Sequence, residues 1–108
     1  MIVDAKATAQ VLQSGLKSLQ GVSGRLTELI RHEKFGTPTK LDRGGIAVDL
    51  MSSGLLVRQL GPTQVHVGEQ MMRDAQGLFK HGANLDRVAD HVLDGISALD
   101  GRLRHTAG

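Results

Sequence analysis

The chain reads as an all-α protein, an elongated helical hairpin or bundle. Three observations predict that class. A row of apolar and small residues steps by three and four from Gly68 through Met71, Ala75, Leu78, Gly82, Leu85, Ala89, Val92, Ile96 and Leu99 to Leu103, with no polar entry. That is the seam of a helix buried along one stripe against another helix. A second row, Ile2, Ala5, Ala9, Leu12, Leu16, Leu19, Ser23, Leu26 and Ile30, repeats the step with Ser23 as its single polar member. No segment keeps the alternation of a half-buried strand for more than a few residues.

The first helix is expected over residues 4–34. Asp4 can cap it by accepting from the free amides of the first turn, and Val22 and Leu29 widen the apolar stripe as globular bundles require. Gly15, Gly21 and Gly24 each weaken it by up to ~1 kcal/mol relative to alanine, so packing must hold it. Residues 35–45, FGTPTKLDRGG, form a loop. Gly36 can end a helix in the left-handed conformation, Pro38 forbids continuation, and Asp42 or Gly44 can start the next helix.

A short second helix is expected over 45–60. Ile46, Leu50, Ser53, Val57 and Leu60 keep the step, while Val48, Met51, Leu55 and Leu56 spread apolar surface around the rest. A helix apolar on most faces either sits centrally or meets a partner. Gly61-Pro62 kinks the chain, and Pro62 suits the first turn of a new helix, where its missing amide costs nothing. Two readings compete beyond it. Phe79-Lys80-His81-Gly82 has the cations and glycine of a helix terminus, and Asn84 could cap a fourth helix. The seam nevertheless passes through Gly82 in register, which favours one helix over 63–104, about 60 Å long, with Gly82 as the place to bend.

With 108 residues, the chain is expected to form one domain, 1–108. Hydrophobic residues at 40 % and charged residues at 22 % argue against disorder. The only aromatics are Phe35 and Phe79, which disfavours small-molecule and nucleic-acid sites that draw on aromatic stacking. There is no cysteine, which excludes disulfides, thiol nucleophiles and cysteine-bound zinc. The formal charge of +2 is slight and its members are interspersed. No membrane span is expected, because the most apolar stretch, 46–60, contains Asp49 and Arg58 and falls short of ~20 residues. Asp4 and Lys6 interrupt any signal-peptide core, so the expected location is the cytoplasm, or outside the cell without a conventional signal peptide.

Candidate chemistry is sparse. Glu28 with His32 and His66 with Glu69 share helix faces, but a di-iron bundle needs Glu-x-x-His pairs plus two further glutamates, and the chain's only other glutamate is Glu33. Asp86, Asp90 and Asp94 read as a solvated face partly offset by Arg87. No Gly-x-Ser-x-Gly elbow, Gly-x-Gly-x-x-Gly or P-loop pattern occurs despite 14 glycines. No enzyme activity, metal or cofactor is therefore expected. Arg31, Lys34, Lys40 and Arg43 crowd the first loop and are candidate phosphate contacts, although cations at a helix C-terminus also complement its dipole. Met71-Met72 reads as adaptable core filler.

A Met-Ile-Val-Asp start, a first helix, Phe35-Gly36 in the central loop and a long second arm together resemble the small helical-hairpin substrates of actinobacterial type VII (ESX) secretion. Phe35-Gly36 stands near the place of that family's Trp-x-Gly turn, and Asp90-x-x-x-Asp94 is the nearest form of its Tyr-x-x-x-Asp/Glu export signal. The resemblance implies a leaderless secreted hairpin that pairs with a second hairpin into a four-helix bundle.

The expected function is that of a non-catalytic interaction protein pairing through its seams, as a homodimer or with a cognate helical hairpin. Leu16, Leu26, Leu50, Leu56, Met71, Leu78, Leu85, Val92 and Ile96 are the expected interface. The alternatives are a small helical subunit of a larger phage or secretion assembly, and a nucleic-acid-associated protein acting through the basic 31–43 region.

Overall fold

The structure, a computed structural model, describes residues 5–36, 43–79 and 84–107. They form α1 (Ala5–Phe35), α2 (Arg43–Arg58), a 3₁₀ turn (Pro62–Gln64), α3 (Val65–Leu78) and α4 (Leu85–Ala107), with no strand among the described residues. The fold class is all-α.

α1 ends where Gly36 adopts φ +66°, a left-handed value that glycine reaches without a Cβ penalty. Pro62 occupies the first turn of the 3₁₀ segment that leads into α3, where a missing amide is harmless. Residues 37–42 of the expected loop, and Asp4 as the expected cap, lie outside the described residues.

Each helix runs antiparallel to the next. Arg25 of α1 reaches Asp49 of α2, and Glu33 pairs with Arg43, so α1 and α2 descend against each other. The glycines Gly54 of α2 and Gly68 of α3 face each other, and Asp74 of α3 meets His91 of α4. Gly15 and Leu19 of α1 lie beside Leu99 and Gly95 of α4, which closes the ring of four. The result is an elongated bundle of 50 × 20 × 19 Å. Its core draws on every helix: Leu12, Leu19, Val22, Leu26 and Leu29; Ile46, Leu50 and Val57; Met71, Ala75 and Leu78; Leu85, Val88, Val92 and Leu99.

The single helix expected over 63–104 is corrected to two. Leu78 ends α3, and Asn84 caps α4: its Oδ1 accepts the Arg87 amide at 3.2 Å and its carbonyl accepts the Val88 amide at 3.1 Å. His91 Nδ1 stands 2.5 Å from Asp74 Oδ2, whereas one straight helix would hold these residues about 25 Å apart. Gly82, the expected bend, is outside the described residues. The seam stays in step because α3 and α4 face the same core from either side of the break. Periodicity records which face is buried, not whether the helix is continuous. Within α4 the buried stripe also includes Val88 and Gly95, with Ala89 and Ile96 on its flank.

The glycines of α1 divide by environment. A Cβ at Gly24 meets nothing within 4 Å, so Gly24→Ala should only relieve the entropic cost of glycine inside a helix. Thermal or urea unfolding is expected to show a gain of about 0.5–1 kcal/mol. A loss of that size would place a neighbour where this structure has solvent.

Candidate functional site

α2 is too apolar to hide entirely. Ile46, Ala47, Leu50, Ser53, Gly54 and Val57 face the core, which turns Val48 and Leu55, seven residues apart, to solvent at 59 % and 44 % exposure. Half-buried Met51 and exposed Ser52 lie between them. Val48, Met51, Ser52 and Leu55 form an uncharged ridge on the outward side of α2; Asp49 is turned toward Arg25 of α1, and the exposed Arg58, one turn beyond Leu55, is turned toward Glu69 of α3.

Beside this ridge α1 and α2 diverge into an open groove of about 590 Å³. α1 contributes Gln10, Val11, Ser14, Gly15 and Ser18; α2 contributes Ser52, Ser53 and Leu56. None of the eight is charged. The small α1 residues at 14, 15 and 18 create the space. A Cβ at Gly15 would stand 2.3 Å from a Leu56 methyl, so glycine lets Leu56 fold down as the groove floor. Val11, 55 % exposed, and Leu56 also line a second depression toward the α2–α3 turn, with Thr8, Leu12, Gln59, Leu60 and the cationic Arg102. Nearer the middle of the bundle Arg25 and Asp49 pair at 2.5 Å between the same two helices. The arrangement offers burial and close backbone approach; its hydroxyls, on Ser14, Ser18, Ser52 and Ser53, have no His, Asp, Glu or Lys beside them among the lining residues.

Of the nine residues expected as a partner interface, six lie within the chain's own core and three at its edge, and of these Leu56 also lines the groove. Leu26, Leu50, Met71, Leu78, Leu85 and Val92 are enclosed by the chain's own helices. Leu16, Leu56 and Ile96 are partly buried against that core. One chain supplies all four helices of the bundle, so these seams are satisfied internally. Among the described residues the exposed large apolar side chains are others, Val11, Val48 and Leu55, together with Phe35, Phe79 and Leu93.

The candidate phosphate contacts lie at the α1–α2 end of the bundle as far as they are described. Arg43 is held by Glu33, and Arg31 and Lys34 lie exposed on the last turns of α1. Lys40 is outside the described residues. Asp86, Asp90 and Asp94 are exposed on α4. Among the described residues, no three His, Asp or Glu side chains gather as metal ligands.

One ionisable pair is well inside the bundle surface: Asp74 and His91, 2.5 Å apart, join α3 to α4. Burial is the strongest influence on Asp74 and raises its pKa above the ordinary 3.8, opposed by the His91 hydrogen bond and by the charges of His91 and Arg87. An acid whose folded pKa is raised binds its proton better when folded. Its contribution to stability is fully present below the ordinary value and is lost as pH rises through the raised one. His91→Leu removes the main opposing influence and enlarges that loss. We expect it to destabilise the fold by about 1–2 kcal/mol at neutral pH, and by much less below the ordinary aspartate value. Urea melts at the two pH values check this; an equal loss at both would contradict it.

In comparisons with family models, with curated proteins and with solved structures, the chain matches none.

Proposed function

We propose that the protein is a non-catalytic interaction module that pairs with a helical protein surface through the α1–α2 side of its bundle. The observation that supports this most is the uncharged ridge of Val48, Met51, Ser52 and Leu55 lying beside an uncharged groove. In a chain of which 22 % is charged, such a side is a poor solvent face and a good docking face. Burying a leucine such as Leu55 contributes about 1.5–3 kcal/mol, and the small residues of α1 admit a partner's side chains closely.

The narrower proposal, a type VII secretion substrate, rests on the sequence resemblance. That family's hairpin would need a second chain to complete four helices, whereas four helices close here within one chain. Pairing would then join finished bundles rather than complete them. The test is light scattering and affinity capture on the native chain beside Leu55→Glu, with circular dichroism as the fold control. The expected result is an associated species, with itself or with a captured protein, that the variant loses at unchanged helicity. Association unaffected by Leu55→Glu contradicts the proposal.

A further inference from the structure

We propose that the surface docked against the α1–α2 side is a second copy of this chain, with the α2 ridge of each copy seated in the groove of the other. This deepens the pairing reading and rests on it.

The ridge and the groove lie side by side on one face and share a helix, because Ser52 and Leu56 line the groove on the same α2 that carries Val48 and Leu55 outward. In a two-fold interface one patch meets itself, so it must be self-complementary. A two-fold axis lying in the interface and running along the bundle exchanges left for right and keeps height. It sets ridge over groove and groove over ridge in one operation, with the two α2 helices parallel. Leu55 is already at the height of the groove, one residue from Leu56 on its floor. An axis across the bundle would oppose ridge to ridge and leave both grooves empty, so the geometry selects the lengthwise axis.

Charge points the same way. A charged residue near a two-fold axis meets its own copy, which like-charge repulsion penalises. Val48, Met51, Ser52, Leu55 and the eight groove residues carry no charge, so none of them meets a like charge across the axis, and Arg58 at the end of α2 is turned toward Glu69 of α3. The long side of the molecule measures 50 by 20 Å, so a pair docked along it has room for the ~800 Å² per partner of a standard interface.

Ser52 is exposed, lines the groove and sits one turn from both Val48 and Leu55, which puts it beside the proposed axis and near its own counterpart. The chain has no cysteine, so Ser52→Cys reports without interference. With a short bismaleimide at micromolar protein, Ser52→Cys is expected to give a covalent species of doubled mass. Ser97→Cys, exposed on α4, is expected to stay at monomer mass, and Leu55→Glu placed in the Ser52→Cys chain is expected to abolish the link. A folded Ser52→Cys protein that does not link, a Ser97→Cys protein that links equally well, or a link that survives Leu55→Glu overturns the proposal. If the protein is monomeric but its α1–α2 side captures another protein, and Leu55→Glu loses it, the second copy is wrong and the pairing reading stands. If it is monomeric and Leu55→Glu changes nothing, both fall.

Discussion

Replacing Gly68 by leucine is expected to destroy the folded bundle. A Cβ at Gly68 would stand 2.6 Å from both the Gly54 carbonyl oxygen and the Arg58 amide nitrogen, and 2.8 Å from the Arg58 Cα. All three are backbone atoms, so no side chain can rotate away; α2 and α3 must separate. The separation would expose Val57 and Met71 and strip the contact between the two helices that meet most closely. Overpacking a well-filled core costs about 1–3 kcal/mol where side chains can yield, and here the obstacle is backbone on every side. The loss should therefore exceed that range, reaching a large share of the about 5–15 kcal/mol that holds a typical domain together. Far-UV circular dichroism with urea titration reads it. Gly68→Leu retaining native unfolding behaviour would mean that α2 and α3 do not cross at these glycines. Gly24→Ala, in open space on α1, is the matched comparison and should move the other way.

Leu55→Glu should abolish association while leaving the bundle folded. Leu55 is 44 % exposed and is absent from the packed core, so a carboxylate there stays hydrated in the isolated chain. In the proposed pair the same carboxylate would enter a groove floored by Leu56 and Gly15, away from water and with no cation among the lining residues. Truncating or charging a central anchor of an interface costs ~2 kcal/mol or more, and burial of an unpaired charge adds to that. Two-fold symmetry applies the cost twice. The association constant should fall by orders of magnitude, read as a return to monomer mass in light scattering.

Particular residues show what sequence could and could not reveal. The two seams identified the buried faces of α1, α3 and α4, because burial on a helix imposes a step of three and four. The stop of α1 at Gly36 and the start of the next segment at Pro62 were legible from backbone chemistry. Continuity through Gly82 was not, since Leu78 and Leu85 keep phase whether the helix runs on or folds back on the same core. The local signals, Phe79-Lys80-His81-Gly82 and the Asn84 cap, carried the break. Gly68 stood out as a small seam residue, but its counterpart Gly54 did not. The signal was a matched spacing: Ala47 and Gly54 are seven apart on α2, as are Gly68 and Ala75 on α3, so antiparallel helices can place small residues opposite one another at two levels. The groove was the least legible feature. α2 was recognisably apolar on most sides, but which side is left outside depends on where α1 and α3 lie. That is set by long-range packing and not by any pattern within residues 43–58.

The most direct test of the account is thermal unfolding of Leu55→Glu across roughly a hundred-fold range of protein concentration, with mass measured at each point. A helical monomer with one Tm at every concentration is expected, because a single chain closes the four-helix core and the surface that would pair has been charged. A variant that loses its helices, or whose Tm still climbs with concentration, would show that the fold needs a second chain, and would contradict the account.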